Sequence, residues 1–426
     1  MSLPRVALIV VSLDGRAHLE RLLASVAELD HPREDLEIIV VDNGSTDGTA
    51  SWLAESHPGV RVLRLETNEG FARPNNLAAA LVPDADFLAL LNNDMKVDPG
   101  WLREALAGFT EPDVACVATR ILNWDGTRVD YAGAGMTFDG FGLQPAYGAD
   151  AERVRGEPGP VLFACGGAMV IRRQVFLALG GFDEAFFAYF EDVDLGWRLW
   201  AAGHRVVYRP EAVVRHVHNG TSARFPSEAK RLLMERNALQ MVLKNAEGSD
   251  LEAIGTVCTL LTATRAACRG NTAENTFRMG ALPRPLESAV GNRPGLAARL
   301  RRALATKGFS GLARAATIAL VRRALRHLEP GAAPVMEGKV TIPAEAWAGV
   351  LALRDLAAMW PDLARRREAV QALRRRPDRE ILMLMQHPLM AVEGHPAYLA
   401  IHQALVAMPA ISGRYATDSR PAPMEV

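Results

Sequence analysis

The sequence is short of cysteine, of long apolar runs and of any excess charge. Its four cysteines in 426 residues show no Cys-x-x-Cys spacing, so we expect neither a zinc framework nor a disulfide scaffold. No run of 18 apolar residues occurs, which predicts no transmembrane helix. The net charge of −1 gives no overall field for nucleic acid. Together these absences favour a globular protein of the reducing cytoplasm.

Two nucleotide-binding fingerprints and a secretion signal are also missing. No Gly-x-Gly-x-x-Gly follows the first apolar run, and no Gly-x-x-x-x-Gly-Lys-Ser/Thr loop occurs. This excludes the sequence signatures of dinucleotide-binding and P-loop proteins. The N-terminal apolar run spans only residues 6–11 and is followed by Ser-Leu-Asp-Gly, which has no small-residue cleavage site. We interpret this run as a first buried strand.

The first half of the chain alternates short apolar strands with amphipathic helices. Because strand–helix alternation with short loops is typical of parallel sheets covered on both faces, we predict an α/β fold with a doubly wound, mainly parallel sheet. From about residue 224, helical patterns rich in Ala, Leu and Arg take over, including a predicted helix over 228–245. The predicted strands cover 6–11, 37–41, 60–65 and 87–91, and the predicted helices cover 17–29, 49–56 and 74–81.

Polar residues follow the predicted strands, where sheets of this kind bind ligands. Asp42 is placed to accept a bond from a base or ribose hydroxyl. Asp94, with amide oxygens beside it, suits Mg²⁺ or Mn²⁺. An ordinary turn is the alternative for each motif taken alone. The polar strand ends are Ser12 and Asp14, then Asp42 and Asn43, then Asn92, Asn93 and Asp94.

Three acids, Glu191, Asp192 and Asp194, fall within four residues among aromatic and aliphatic neighbours. Because desolvation disfavours a charged carboxylate, such a cluster indicates a site that needs a proton acceptor or a cation. The alternative is a helix N-terminus, where acids are stabilised by the helix dipole. Trp101 and Trp197 have two interpretations as well, sugar stacking and core packing, of which we favour the core.

These motifs, in this order, resemble the family 2 glycosyltransferases of the GT-A fold, especially their rhamnosyltransferase-like branch. The resemblance covers about the first 245 residues. The matching segments are VVSLDG (10–15), VDNGSTDGT (41–49), NEGFARPNN (68–76), LLNNDMKVDPGWL (90–102), GGAMVIRR (166–173), GGFDEAFFAYFEDVDLGWRL (180–199), PEAVVRH (210–216) and RLLMERNALQMVLKN (231–245).

The resemblance implies roles for the site residues. Asp42 and Ser12 would bind the base or ribose, and Asp94 would bridge a metal ion to the diphosphate. His216 would reach the same ion, with His218 as its competitor. Asp192 would be the general base. Glu191 and Asp194 would shape the acceptor site and help to set the pKa of the base. The other donor-site candidates are Asp14, Asn43, Arg73, Asn76 and Asn93.

The chain departs from the family pattern in three places. Asp14 stands where an Asn is usual, and Asn92 opens the metal motif where a full motif has an acid. Arg73-Pro74 replaces a glycine-rich turn, which suggests a stiffer loop whose cation could face the diphosphate.

The implied activity is inverting transfer of a sugar, rhamnose from dTDP-rhamnose being preferred to other dTDP- or UDP-sugars. The acceptor would be a cell-surface glycan or a lipid-linked glycan. A sugar-nucleotide nucleotidyltransferase and a non-catalytic sugar-nucleotide-binding protein are the alternatives. A glycine- and lysine-rich phosphate loop near the first strand would favour the nucleotidyltransferase, and none occurs.

We predict a catalytic domain over 1–225, with a donor half over about 1–110 and an acceptor half over about 111–225. A helical C-terminal region covers 226–426. Two arginine-rich stretches there, 293–328 and 364–379, have two interpretations. One is peripheral contact with the inner face of the cell membrane, and the other is a solvated face packed on its own domain. The tail after Ser412 is polar and is expected to be loosely ordered.

Overall fold

A computed structural model describes residues 3–217, 226–270 and 344–415. The strands are β1 (Val6–Ser12), β2 (Leu36–Asn43), β3 (Arg61–Leu65), β4 (Phe87–Asn92), β5 (Met95–Val97), β6 (Val114–Asn123), β7 (Val129–Tyr131), β8 (Gly135–Met136), β9 (Gly142–Leu143), β10 (Gly159–Pro160), β11 (Ala168–Arg172) and β12 (Arg205–His216). The helices are α1 (Arg16–Ala27), α2 (Thr49–Ser56), α3 (Ala72–Ala80), α4 (Trp101–Leu106), α5 (Arg173–Ala178), α6 (Glu191–Ala201), α7 (Ser227–Asn245), α8 (Gly248–Gly270), α9 (Ala344–Leu373), α10 (Asp378–Leu382), α11 (Pro396–Val406) and α12 (Pro409–Tyr415).

One mixed sheet organises the fold, in the strand order β10-β12-β6-β11-β4-β1-β2-β3. Strands β4, β1, β2 and β3 run parallel, as do β6 and β12. Strand β11 runs antiparallel to both β4 and β6. The predicted α/β class with a mainly parallel sheet is confirmed. The strands after β4, including the reversed β11, are not among the predicted strands. Because β11 is reversed, it begins at the edge where the parallel strands end.

The apolar strand runs form the core. Every residue of β1 from Val6 to Val10 is buried, and β2, β4 and β6 are almost as fully covered. Strands covered by helices on both faces need continuous apolar runs rather than alternating ones. This explains why short apolar runs in the sequence predict β1 and β4 well and why no periodicity of two appears in them.

The helices after residue 226 continue this core. Met241 and Val242 of α7, Leu261 of α8 and Leu356 of α9 belong to the same buried cluster as the sheet residues. The three described ranges form one compact unit. The division into a domain ending near 225 and a helical region after it stays a prediction, since the core of the described residues runs across that boundary.

Three arginines of the second basic stretch pack on the chain itself. Arg366 bonds Asp183, Arg367 donates to the carbonyls that end α7, and Arg376 donates to Gly203 O and His204 O. For these residues, the structure therefore agrees with a face packed on the protein itself rather than with a membrane-contacting face. The first stretch, 293–328, lies outside the described residues, as do His218 and the tail beyond 415. Within the described part of the chain, no helix is long and apolar enough to cross a membrane.

Candidate active site

The polar strand ends meet along one edge of the sheet. The carboxyl ends of β2, β1, β4, β6 and β12 lie at this edge because these strands share one direction. Strand β11 begins there, and Gly167 just before it accepts a bond from Asn92 N at 2.9 Å. The edge therefore runs from Asp42 at the β2 side, past Ser12 and the Asn92–Asp94 segment, to His216.

Asp42 lies at the mouth of a cavity of about 240 Å³ beside α2. Its Oδ1 accepts a bond from Ser45 N at 3.1 Å, and its Oδ2 is buried with no hydrogen-bond partner among the described residues. Arg64 is 3.9 Å from that oxygen, and Ser45, Thr46 and Thr49 also line the cavity. A buried acceptor without a donor costs free energy unless a ligand donor meets it. The pocket can therefore receive an N–H or O–H group.

Asp14 and Ser12 hold the walls of this region. Asp14 has a left-handed backbone, with φ of 47°, a conformation that Asn and Asp tolerate better than most residues. Its carboxylate accepts from Thr46 N at 2.7 Å, and its own N–H donates to Ser45 Oγ at 2.9 Å. The Asp in place of the usual Asn thus fixes the loop that lines the Asp42 cavity.

The first and fourth strands are tied together at their ends. Asn93 Nδ2 donates to Ser12 Oγ at 2.9 Å, and both side chains are buried. A side chain at Gly15 would collide with both of these groups. The contact supports a positioning role for Ser12 and Asn93, and direct donor contacts of these residues stay predictions.

Three other predicted donor-site residues bond the protein itself. Asn43 donates to Gly70 O at 2.8 Å and accepts from Glu69 N at 2.9 Å. Asn76 exchanges bonds with the backbone of Phe182. Arg73 pairs with Glu69 at 3.3 Å and Glu184 at 3.0 Å.

The position of Arg73 differs from the predicted position in a loop. It lies in the first turn of α3 rather than in a loop, because the helix begins at Ala72, two residues before its predicted start. Asn43 thus ties the end of β2 to residues 68–70, and Asn76 and Arg73 tie α3 to residues 182–184. The donor contacts of all three stay predictions.

Asp94 and His216 form the candidate metal site. His216 Nε2 is 3.4 Å from Asp94 Oδ2, and Asp94 Oδ1 is buried without a hydrogen-bond partner among the described residues. Carboxylate oxygen and imidazole nitrogen are ligands that Mn²⁺ accepts, and Mg²⁺ prefers oxygen. The carboxylate therefore offers one oxygen, Oδ2, beside a ring nitrogen and a second, Oδ1, without a partner among the described residues, and this set fits a divalent cation.

Asp130 is a site residue that the sequence analysis misses. It lies on β7, and its Oδ2 is 2.6 Å from His216 Nδ1. Burial alone would lower the pKa of His216, but the bonds to Asp130 and Asp94 raise it to about 9. Carboxylates that bond the second nitrogen of a metal-binding histidine fix its tautomer and orientation. No spacing rule marks Asp130 in the sequence, because only the β6–β7 hairpin brings it to His216.

Asp192 stands in the first turn of α6. Its Oδ2 accepts from Gly166 N and its Oδ1 from Val193 N, both at 2.8 Å. Burial raises the pKa of Asp192 although these backbone bonds lower it. The preceding residues Phe187, Tyr189 and Phe190 all have positive φ, between 64° and 70°. The acidic cluster is thus a helix N-terminus, as the simpler interpretation has it, and also presents an oriented carboxylate.

Glu191 is a buried carboxyl group without a partner on Oε2 among the described residues. Burial, and then the charge of Asp192, raise the pKa of Glu191 well above its ordinary value. Two carboxyl groups this close resist ionising together. The pair therefore holds a proton more readily than two exposed acids would.

Asp194 is buried below the surface of the site, and its predicted part in shaping the acceptor site stays a prediction. It is fully buried and bonds Arg198 Nε at 2.7 Å, Lys244 Nζ at 2.7 Å and Asn245 Nδ2 at 2.9 Å. These contacts join α6 to α7. Its charge still contributes to the raised pKa of Glu191, so its effect on the site is indirect. Trp101 and Trp197 are both core residues, as favoured.

Comparisons with known proteins give one matching family model and several similar proteins. The model of the family described as glycosyl transferase family 2 matches residues 7–180. The chain is 31% identical over 242 residues to an N-acetylglucosaminyl-diphospho-decaprenol L-rhamnosyltransferase of Mycobacterium tuberculosis, covering 51% of this chain and 78% of that protein.

Two further similarities cover different shares of the chain. The O-antigen biosynthesis protein RfbC of Myxococcus xanthus is 33% identical over 238 residues, which cover 52% of this chain but only 18% of that much longer protein. Among solved structures, a mannosyltransferase from Pyrobaculum calidifontis in complex with GDP-Man and Mn²⁺ has a TM-score of 0.42. It is 19% identical, and the match covers 87% of this chain and 86% of that one.

Proposed function

Because the chain belongs to glycosyl transferase family 2, we propose that it is an inverting enzyme that transfers rhamnose from dTDP-rhamnose to a glycan hydroxyl. The observation that carries this proposal is the arrangement along one sheet edge. Asp42, with an oxygen that has no hydrogen-bond partner among the described residues, stands at one side of the edge. The pair of Asp94 and His216 stands at the other, and the half-buried Asp192 bonds the loop that precedes β11.

The donor nucleotide would occupy the β2 side of this edge. Asp42 Oδ2 is a buried acceptor facing a cavity of about 240 Å³, and a pyrimidine base offers the N–H donor that this oxygen needs. Asp94 and His216 would hold Mg²⁺ or Mn²⁺, which supplies positive charge to the diphosphate leaving group when it is bound.

Asp192 would act as the general base. Its ionised carboxylate accepts the proton of the acceptor hydroxyl while the oxygen attacks the anomeric carbon. The bond from that carbon to the diphosphate oxygen breaks on the opposite face, so a single displacement inverts the configuration. The bonds from Gly166 N and Val193 N fix the carboxylate, and its burial raises the pKa toward the range in which a carboxylate is an effective base.

The choice of sugar and acceptor rests on the relatives. The Mycobacterium tuberculosis relative is named as a rhamnosyltransferase acting on a lipid-linked N-acetylglucosaminyl diphosphate, and a Salmonella typhimurium relative is named as an O-antigen chain rhamnosyltransferase. A lipid-linked or cell-surface glycan acceptor would bring the protein to the inner face of the cell membrane.

The two alternatives make different demands on the chain. A nucleotidyltransferase would need a phosphate-binding loop after β1, where the chain instead has Asp14 holding Thr46 N. A non-catalytic binding protein would have no use for a half-buried, oriented Asp192 beside a second carboxyl group, both with raised pKa values. Both features favour a transferase.

A donor panel tests the proposal. The purified protein is incubated with dTDP-rhamnose, UDP-glucose, UDP-N-acetylglucosamine and GDP-mannose, each with Mn²⁺, with Mg²⁺ and with chelator. Metal-dependent release of dTDP from dTDP-rhamnose is the expected result. Release from a different donor would overturn the choice of rhamnose, and formation of a sugar nucleotide from nucleoside triphosphate and sugar phosphate would overturn the transferase.

A further inference from the structure

Trp124 stands at the tip of a rigid hairpin between β6 and β7. Asn123 and Arg128 close the hairpin, with Asn123 N donating to Arg128 O at 2.9 Å and Arg128 N to Asn123 Oδ1 at 2.8 Å. Inside it, Thr127 N donates to Asp125 Oδ1 at 2.9 Å, and Gly126 adopts a left-handed φ of 78° that suits glycine. The indole is therefore held by a fixed backbone.

The indole of Trp124 is left open to solvent. Its exposed fraction is 41%, whereas Trp52, Trp101, Trp197 and Trp200 are each at most 8% exposed. An aromatic ring of this size gains free energy when it is covered. A rigid, uncovered Trp is therefore a surface suited to a flat, partly apolar ligand.

The indole lines a cavity of about 680 Å³ at the sheet edge. Its other lining residues are Arg21, Asn123, Asp125, His216 and Val217. One wall is thus the histidine of the candidate metal site, and the rim carries a guanidinium, an amide and a carboxylate. A pocket with an apolar wall and a few polar groups of this kind is typical of small-molecule sites.

The place of the cavity in the sheet separates it from the Asp42 pocket. Asp42 ends β2, near one end of the strand order, whereas Asn123 and His216 end β6 and β12, near the other end. Strands β1, β4 and β11 lie between them. A donor whose base meets Asp42 and whose diphosphate meets Asp94 would leave this cavity to the second substrate.

We propose that this cavity is the subsite for a pyranose ring of the acceptor glycan, with Trp124 as its stacking surface. A pyranose presents C–H groups on its faces and hydroxyls around its rim. Its faces match the indole, and its hydroxyls match the polar groups of Arg21, Asn123 and Asp125. The assignment of the ring to the acceptor rests on the proposed function, whereas the recognition of a pyranose rests on the cavity itself.

The test uses the full-length protein labelled with 5-fluorotryptophan and observed by fluorine NMR. Trp124→Phe and Trp360→Phe identify the two resonances. Trp360 is the matched control, because it is 54% exposed but lies on α9. The probes are methyl β-N-acetylglucosaminide, dTDP with Mn²⁺, and dTDP-rhamnose with Mn²⁺, each titrated separately.

The expected result is that the methyl glycoside shifts the Trp124 resonance and leaves the Trp360 resonance in place. In Trp124→Ala, saturation transfer to the glycoside should fall about tenfold, while Trp360→Ala keeps it. A glycoside that binds without moving the Trp124 resonance, or one that does not bind at all, would overturn the subsite. A shift produced by dTDP-rhamnose but not by dTDP would assign the cavity to the donor sugar and overturn the acceptor assignment.

A failure of the proposed function would give different binding results from a failure of the acceptor subsite. If dTDP with Mn²⁺ fails to bind while the glycoside still shifts the Trp124 resonance, the nucleotide site is refuted and pyranose recognition stands. If dTDP binds and the glycoside leaves the Trp124 resonance unmoved, the acceptor subsite is refuted and the transferase stands.

Discussion

At the scale of single residues, Asp192 is an acid whose environment suits proton transfer. Two backbone N–H groups orient its carboxylate, and burial raises its pKa from the ordinary 3.8. The neighbouring Glu191 has its pKa raised further, so the two carboxyl groups titrate as a coupled pair. The two acids can therefore differ in charge at one pH although they are adjacent in sequence.

The pH dependence of turnover follows from this environment. A general base works only when it is deprotonated, so kcat/KM should rise with pH through the pKa of Asp192. Because burial raises that pKa, the acid limb should lie above pH 3.8. Steady-state kinetics from pH 4 to 9, with protein stability followed in parallel, measure it. A profile that stays flat down to pH 4 would refute a raised base.

Asp94→Ala should weaken metal-dependent donor binding at least about tenfold, because it removes the carboxylate beside His216. Calorimetric titration of dTDP with and without Mn²⁺ measures this change. Asp98→Ala is the matched control, since Asp98 follows β5, is partly exposed and pairs with Arg215 at 3.7 Å. Equal dTDP affinity of the Asp94 variant and wild type in Mn²⁺ would remove Asp94 from the metal site.

At the scale of elements, α7 holds the turn that precedes α6. Asn237 Nδ2 donates to Phe186 O, Ala188 O and Tyr189 O at 2.8–3.0 Å, and Arg236 donates to Ala185 O and Phe186 O. The turn contains non-glycine residues with positive φ, a conformation that must be held by its surroundings. We infer that Asn237 is a positioning residue for Asp192.

Asn237→Ala should therefore lower kcat about tenfold or more while leaving the KM for the donor nearly unchanged, because the turn that orients α6 loses three bonds. Steady-state kinetics well below the melting temperature measure both constants. Leu233→Ala on the same helix is the control, since it removes a buried side chain without a bond to the turn. Equal kcat losses in the two variants would mean that Asn237 acts through stability alone.

The sequence predicts those elements whose signal is local. The strand over 6–11 and the helix over 49–56 agree with β1 and α2, because an apolar run or a helical repeat decides each of them. The start of α3 at Ala72 and the whole of the reversed strand β11 are missed. Packing against the Phe187 carbonyl, which accepts from Phe71 N at 2.6 Å, contributes to the first. Strand pairing decides the second.

The same distinction holds for the candidate site. Asp42, Asp94 and Asp192 stand in motifs that can be read along the chain. Asp130 and Trp124 have no such motif, since a hairpin brings them to His216. Asp194 shares a motif with Asp192, but it is buried against α7, because adjacent positions on a helix point in different directions.

At the scale of the whole molecule, a buried ion cluster joins the turn between β8 and β9 to the C-terminal helices. Arg265 on α8 bonds Glu235 of α7, Asp139 near the sheet and Tyr398 of α11. Arg265, Glu235 and Asp139 are each at most 3% exposed. Removing one partner of such a cluster leaves an uncompensated buried charge, which costs more than the cluster itself contributes.

Arg265→Met should accordingly lower the free energy of unfolding by about 3–5 kcal/mol. Urea denaturation followed by circular dichroism measures the change. Arg365→Met is the control, because that side chain is exposed and pairs only with Asp362 among the described residues, so its removal should cost less than about 1 kcal/mol. Similar losses in the two variants would contradict a structural role for the cluster.

The most direct test of the account is single-turnover transfer by Asp192→Asn, measured beside donor affinity in the same preparation. The substitution keeps the size of the side chain and removes the base. Turnover of dTDP-rhamnose to glycoside product should fall at least about 100-fold, the lower range for loss of a general base, while the Kd for dTDP with Mn²⁺ stays within about twofold of wild type. Wild-type turnover in this variant would contradict the assignment of Asp192 as the base.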